Sequence, residues 1–162
     1  VFGTSRDTSD FVADALEVWW NHRRTAHPQV RRLLIDLDNG PEIASSRTQF
    51  MKRLVEFSDR YQLTLELAYY PPYHSKYNPI ERCWGILELH GNGTQLRNVE
   101  TMLEWAKRMT WKGIKPVVEL SRKVYAKGVT LSKTAMQVVE ARLERNPLLL
   151  KWDILIHPAR AT

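Results

Sequence analysis

The chain has 162 residues, and its hydrophobic content of 43% is enough to bury the core of one domain. A net charge of +6 and a pI near 9.6 favour an acidic partner, with nucleic acid the first candidate and an ordinary solvated basic surface the alternative. The single Cys83 excludes an internal disulfide, and no leader or membrane-length apolar run is evident, so we predict a cytoplasmic protein with no membrane association.

The first half of the chain alternates helical and strand patterns. Apolar residues at helical spacing predict a helix over 9–24, with Thr8 as its N-cap. Residues 31–38 alternate in polarity and predict a strand. Ser46 and Gln49 have the spacing of a capping box, which predicts a helix that runs to about residue 61.

A second alternating strand, over 63–67, follows and ends before two prolines. Helix, strand, helix, strand in this order predicts two adjacent parallel strands with helices packed on the sheet. Asn78 then caps a further helix, with Pro79 at its first position. The expected buried stripe of that helix is Ile80, Trp84 and Leu87. The remaining predicted elements are helices over 98–109 and 132–145, a short strand over 152–156, and an ambiguous stretch over 114–131.

Two carboxylates stand where a metal could be bound. Asp38 ends the first strand before a turn at Asn39-Gly40, which is the usual ligand position in open α/β sheets. Glu81 lies on the first turn of the helix capped by Asn78. Carboxylates are the usual protein ligands of the divalent metals that assist phosphodiester chemistry. Each residue has an alternative role, because Asp38 also suits a turn and Glu81 also suits a capping box.

Four neighbouring polar residues are predicted to support this site without binding the metal directly. Asp36 shares the face of Asp38 but lies about 7 Å back along the strand. His74 could contact a phosphate or a base, although a surface or packing role is the alternative. The full supporting set is Asp36, Asn39, His74 and Asn78.

The segment 107–145 is the most basic part of the second half. Ten lysines and arginines stand against three glutamates, and Trp111 and Tyr125 lie between the charges. This composition suits a groove that follows a nucleic-acid backbone, and a solvated helix surface is the alternative. The predicted DNA-contacting residues are Lys107, Arg108, Lys112, Lys115, Arg122, Lys123 and Lys127.

Two blocks of this sequence together resemble the DDE transposases of bacterial insertion sequences. The first block is Asp38-Asn39-Gly40, and the second runs over 71–84 and contains Asn78-Pro79-Ile80-Glu81-Arg82-Cys83-Trp84. The chain is most similar to the Rhodopirellula-type transposase family, itself distantly mariner-like. The segments that extend the resemblance over nearly the whole chain are 47–50, 109–113 and 140–145.

This resemblance implies a ribonuclease H-like α/β fold with three catalytic carboxylates. Asp38 matches the family's second Asp, and Glu81 matches its closing Glu. The first Asp belongs on a strand that we expect upstream of Val1, and residues 1–5 read like the tail of such a strand. Gly91 departs from the family pattern, where a bulky aromatic residue is expected. The predicted organisation is a partial catalytic domain over 1–162, with a ribonuclease H-like part over 1–92 and a helical, basic extension over 93–162.

The activity implied by the resemblance is DNA transposition. Two Mg²⁺ or Mn²⁺ ions, held by Asp38, Glu81 and the missing Asp, would support nicking of double-stranded DNA and strand transfer into a target. The resemblance also implies a homo-oligomer assembled on DNA and a place in the bacterial nucleoid. This chain alone is predicted to be inactive, because the first Asp lies upstream. The alternative is a non-catalytic DNA-binding or assembly remnant of a decayed transposase.

Overall fold

The structure is a computed structural model that describes residues 1–71, 74, 77–91, 93, 95 and 97–159. In chain order its elements are β1 (Phe2–Gly3), α1 (Ser9–Arg23), β2 (Arg32–Leu37), α2 (Thr48–Tyr61), β3 (Thr64–Tyr69), α3 (Pro79–Gly91), α4 (Val99–Arg108), β4 (Leu120–Ser121), α5 (Lys133–Glu140), β5 (Leu143–Arg145) and β6 (Asp153–Ile156). No helix among these described residues is long and apolar enough to cross a bilayer.

The chain divides into two compact units. The helical unit consists of the described residues within Val1–Ser5 and Tyr73–Val124, and the sheet unit of those within Arg6–Pro72 and Tyr125–Thr162. This grouping differs from the division expected at residues 92 and 93, because β5 and β6 join the sheet that contains β2 and β3.

The sheet unit is built on a mixed four-stranded sheet in the order β2-β3-β6-β5. Strands β2 and β3 are parallel, which confirms the prediction, and β6 is antiparallel to both β3 and β5. The chain is therefore of the α/β class with a mixed sheet. Within the described residues β2 is an edge strand, so one side of its backbone has no strand partner.

One face of this sheet is covered by helices and the other is open. On the covered face, Leu65 and Leu67 are fully buried in a core that includes Phe50 and Met51 of α2. On the open face, Leu34 is 61% exposed. The alternating pattern of the strands follows from this arrangement, since successive side chains point to opposite faces.

Side-chain oxygens cap the starts of α1, α4 and α5, and the cap at Thr8 confirms the prediction for α1. Thr8 Oγ1 accepts a hydrogen bond from Phe11 N at 3.2 Å at the start of α1. Asn98 Oδ1 accepts from the backbone N–H three residues later at 2.7 Å, and Ser132 Oγ does the same at 3.2 Å. These bonds satisfy amide groups that have no partner within the helix.

The capping box predicted at Ser46 and Gln49 is wrong. Helix α2 begins at Thr48, and Arg47 occupies the cap position without a side-chain cap bond. Gln49 Nε2 instead donates to Asp10 Oδ1 of α1 at 2.9 Å. The Gln49 side chain therefore bonds to a residue of another helix and is not available for the capping box.

The helix predicted over 132–145 is too long. Helix α5 ends at Glu140, and Leu143 is buried in β5, opposite Ile156. Both Nη atoms of Arg142 donate to the carboxylate of Asp59, at 3.1 and 2.7 Å. These hydrogen bonds lower the pKa of Asp59. In the ambiguous stretch 114–131 the described strand is only β4, which pairs in parallel with β1.

The helical unit is less well packed than the sheet unit. None of the α3 residues is buried, and Ile80 and Trp84 are 40% and 54% exposed. The predicted buried stripe is therefore wrong for this chain. Leu87 is half-buried, in a small apolar cavity that Cys83 and Ala106 also line.

Gly91, which departs from the family pattern, has an aromatic ring from α4 against it. A Cβ at Gly91 would lie 2.9 Å from Cζ2 of Trp105. The Trp105 ring stacks on His90 with centroids 5.6 Å apart, and its Nε1 donates to His90 O at 3.1 Å. Trp105 thus occupies the space next to residue 91, and this accounts for a glycine at that position.

Two alanine substitutions in α3 are expected to have opposite effects on stability. Gly85→Ala should raise the free energy of unfolding by about 0.8 kcal/mol, because nothing lies within 4 Å of the new Cβ and alanine favours a helix. Gly91→Ala should lower it by about 1 kcal/mol, because the Trp105 ring must shift. Thermal melts followed by circular dichroism measure both, and stabilisation by Gly91→Ala would contradict the proposed contact.

Candidate functional site

Asp38 lies immediately after β2, at the carboxyl end of a parallel strand pair. Its side chain is exposed, and its Oδ1 accepts a hydrogen bond from Gly40 N at 3.1 Å. Asn39 between them has a φ of 64°, in the left-handed region that asparagine tolerates. Asp38 therefore forms the turn, as its alternative role required, and still presents a carboxylate to solvent.

The loop that follows this turn is fixed by three side chains from distant elements. The Tyr69 hydroxyl donates to Ile43 O at 2.8 Å, and Ser9 Oγ donates to Glu42 O at 2.6 Å. Arg145 Nη2 donates to Ser45 O at 3.1 Å. Tyr69 is buried, and this burial raises the pKa of its hydroxyl. The loop that follows Asp38 is therefore anchored to α1, β3 and β5.

These anchoring residues were missed by the sequence analysis. They lie 26, 33 and 100 positions from their partners, so no local spacing marks them. Glu42 lies in the same loop, and its carboxylate is also paired. Both of its oxygens accept from Arg47 Nη2 at 3.1 Å.

Asp36 lies on the same exposed side of β2 as Asp38, two residues earlier. Its partner on β3 is Ala68, a small residue that leaves its carboxylate uncovered. This placement agrees with the predicted face of both aspartates.

Glu81 lies in the first turn of α3. Asn78 caps this helix, because its Oδ1 accepts from Ile80 N at 3.2 Å and its backbone oxygen accepts from Glu81 N at 3.1 Å. The Glu81 carboxylate is exposed and makes no hydrogen bond to another described residue. It is therefore not folded back onto the cap, and its charge stands at the positive end of the helix dipole.

His74 is exposed, and its ring stacks on Tyr77 with centroids 5.8 Å apart. Its backbone oxygen accepts from Tyr77 N at 3.0 Å. These are local packing contacts within the segment that precedes α3. Other parts of the predicted block, at residues 72, 73, 75 and 76, lie outside the described residues.

The donor set fits hard divalent cations. Asp38 in the sheet unit and Glu81 in the helical unit both present exposed carboxylate oxygens, which Mg²⁺ and Mn²⁺ prefer. Among the residues that the structure describes, no group of three or more His, Cys, Asp or Glu is arranged to hold a metal. The described parts of the two family motifs supply two carboxylates as candidate metal donors, those of Asp38 and Glu81.

The predicted DNA-contacting residues are all exposed. Lys107 pairs with Glu104 at 2.8 Å, and Arg122 lies 3.7 Å from Glu100, so part of their charge is neutralised. The Nζ of Lys112 lies 5.1 Å from the centre of the Trp111 ring. Six of the seven residues belong to the helical unit, and Lys127 belongs to the sheet unit.

Three other residues of the segment 107–145 serve the fold. Tyr125 is buried, its hydroxyl donates to Asp14 Oδ2 at 2.9 Å, and its ring packs edge-on against Phe11. It is therefore not available to stack on a base. Arg142 pairs with Asp59, and Arg145 pairs with Glu140.

A family model described as the Rhodopirellula transposase DDE domain matches residues 1–158. The match covers nearly the whole chain, and the chain belongs to this family. Membership makes it a transposase DDE domain, a class of polynucleotidyl transferase that generally uses divalent metals and acts on DNA. No curated protein and no solved structure matches the chain.

Proposed function

We propose that this chain is part of a ribonuclease H-like catalytic domain that transposes an insertion sequence. Asp38 and Glu81 are the second and third acids of its catalytic site. The observation that carries the proposal is the family match over residues 1–158, which includes both acids. The exposed Asp38 carboxylate at a strand's carboxyl end supports it, as does the Glu81 carboxylate, which is exposed and makes no hydrogen bond to another described residue.

In this proposal the two carboxylates, with the first Asp of the family pattern, would hold two Mg²⁺ or Mn²⁺ ions. Bound metals of this kind make a coordinated oxygen more nucleophilic and neutralise charge on the phosphate. The loop after Asp38 is anchored by Tyr69, Ser9 and Arg145, which limits the movement of this donor. Asp36, Asn39, Asn78 and His74 support these donors.

The reaction consists of two in-line displacements at phosphorus. In the first, a water oxygen bonds to the phosphorus at the end of the element, and the bond to the 3′ oxygen breaks, which frees a 3′-hydroxyl. In the second, this 3′ oxygen bonds to a phosphorus of the target DNA, and a target 3′ oxygen leaves. No oxidant or reductant is needed.

The exposed cations at positions 107–127 contact DNA phosphates in this proposal. They are Lys107, Arg108, Lys112, Lys115, Arg122, Lys123 and Lys127. The protein acts as a homo-oligomer on its DNA in the bacterial nucleoid. The predicted extension over 93–162 contributes both these cations and, through β5 and β6, two strands of the sheet.

A second candidate is a non-catalytic DNA-binding or assembly module. It is favoured by the absence, among the described residues, of any group of three metal-ligating side chains. Such a module would keep its basic surface and lose metal binding. Metal binding therefore separates the two candidates.

Asp38→Asn is expected to weaken Mn²⁺ binding at least about tenfold, because one of two carboxylate donors loses its charge. Glu144→Gln is the matched control, because it removes an exposed carboxylate of β5 that lies outside the predicted site, and it should change the affinity by less than about threefold. Isothermal titration, with Mn²⁺-induced broadening of amide NMR signals around residue 38, measures both. Equal binding by wild type and Asp38→Asn would remove Asp38 from the site, and no binding by wild type would favour the non-catalytic module.

A further inference from the structure

A second basic region lies between α1 and β2, outside the segment 107–145. Residues 21–35 contain four arginines and two histidines and no Asp or Glu. The run therefore contains no acid of its own that could neutralise its arginines. It covers the last turn of α1, the connecting loop and the start of β2.

The structure folds this run around a concave surface of about 430 Å³, which we call the α1–β2 groove. Its principal lining residues are Trp20, Arg24, His27, Pro28, Arg31 and Tyr61. All belong to the sheet unit. The groove therefore combines aromatic side chains with guanidinium groups, a combination that suits a phosphate backbone.

Two guanidinium groups in this groove are oriented without being neutralised. Arg24 lies over the Tyr61 ring, 5.6 Å from its centre. Arg31 Nη1 donates to Pro28 O at 2.6 Å and to Val30 O at 3.0 Å. In the part of the chain that the structure describes, neither Arg24 nor Arg31 forms a salt bridge.

Two neighbouring arginines, unlike Arg24 and Arg31, form salt bridges. Arg32 pairs with Glu66 at 2.6 Å, and Arg60 pairs with Glu17 at 2.8 Å. Their charge is already compensated within the protein. Arg24 and Arg31 keep theirs for a ligand, and the cost of ordering both side chains is largely met before the ligand binds.

The groove is far from the acidic strand end. Arg31 precedes β2 and Asp38 follows it, so seven residues of extended chain, at about 3.3 Å each, place them about 23 Å apart. This distance corresponds to about seven base pairs of duplex at 3.4 Å per step. A phosphate in the groove is therefore not the phosphate that reacts at Asp38.

We propose that the α1–β2 groove binds the phosphate backbone of double-stranded DNA about seven base pairs from the Asp38 end, with Arg24 and Arg31 as the phosphate ligands. The identity of the polyanion rests on the proposed function. Each guanidinium can donate two parallel hydrogen bonds to one phosphate. The contact reads no base sequence, so it positions the duplex without selecting it.

The test is the salt dependence of duplex binding, measured by fluorescence anisotropy with a labelled 30-base-pair DNA in EDTA. In Arg24→Gln/Arg31→Gln the slope of log K against log salt should become shallower by about 1.8, since each phosphate contact contributes about 0.9. Affinity at 0.1 M salt should fall at least about tenfold. Each single variant should give about half of the change in slope.

The matched control is Arg32→Gln/Lys52→Gln, which removes two charges that are already paired with Glu66 and Glu56. Its slope should change by less than about 0.5. Any of three results would contradict the proposed DNA contact of the groove: equal losses in both double variants, an unchanged slope in Arg24→Gln/Arg31→Gln, or no duplex binding by wild type.

Because EDTA removes metal, these outcomes are independent of the Mn²⁺ titration of Asp38, which should be unchanged in the groove variants. Arg24→Lys/Arg31→Lys, which keeps both charges, should retain the wild-type slope and shows that the effect is not one of misfolding.

Discussion

Leu67→Ala is expected to lower the free energy of unfolding by about 3 kcal/mol, because it leaves a cavity at the centre of the sheet. Leu67 is 0% exposed in the middle of β3. Its register neighbours are Ile35 on β2 and Ile154 on β6, so the lost methyl groups cannot be replaced by movement of a loop. Urea unfolding followed by circular dichroism measures the change.

Leu34→Ala is the control for that experiment. Leu34 lies on β2 as well, but on the open face, and it is 61% exposed. Truncation there should change the free energy of unfolding by less than about 0.5 kcal/mol. A loss of more than about 1 kcal/mol would show that another surface covers this face in solution. The pair of variants therefore measures the asymmetry of the sheet directly.

Arg53→Met is expected to destabilise the sheet unit by about 3 kcal/mol, because it removes the counter-charge of several acids at once. The Arg53 side chain is 16% exposed between α1 and α2. It donates to Asp10 at 2.7 Å and to Asp14 at 2.6 Å, and lies 3.7 Å from Glu17. Without it, three carboxylates on α1 face each other with less compensation.

The raised pKa of Arg53 shows that the acids around it stabilise its positive charge. Burial acts to lower the pKa, but the hydrogen bonds to Asp14 and Asp10 and their negative charges outweigh it, so the pKa is raised. Lys52→Met is the matched control one residue earlier. Lys52 is exposed and lies 3.5 Å from Glu56, so its loss should cost less than about 0.5 kcal/mol. Chemical denaturation of both variants measures the difference, and equal effects would show that the cluster does not tie α1 to α2.

The two predictions bear on function through the position of Asp38. The turn at Asp38 follows β2, and β2 is held by the core beneath it and by β3 beside it. A loss of core packing should therefore reduce the order of the acidic strand end. Arg53 acts on α1, whose first residue, Ser9, fixes Glu42 of the loop after Asp38.

Local chemistry in the sequence was sufficient for several helix starts, though not for that of α2, and for the strand pattern. Thr8, Asn98 and Ser132 cap their helices because a short side chain can reach an amide three residues away without outside help. The alternation over 31–38 and 63–67 marks a sheet with one covered face. The order of helices and strands predicted the parallel pair of β2 and β3. The family motif identified Asp38 and Glu81 as the candidate acids, a role that remains proposed.

Other features were decided by partners that are distant in the sequence. Gln49 donates a hydrogen bond to Asp10 and does not form the predicted capping box. The helix after Ser132 ends at Glu140, because Leu143 pairs across the sheet with Ile156. The exposure of Ile80 depends on how much apolar surface from other elements packs against α3. The sequence of α3 alone does not contain this information. Spacing along the chain fixes which groups can meet within one turn or one strand. Competition among groups brought together by folding decides the rest, because a buried polar group takes the partner that the whole fold supplies.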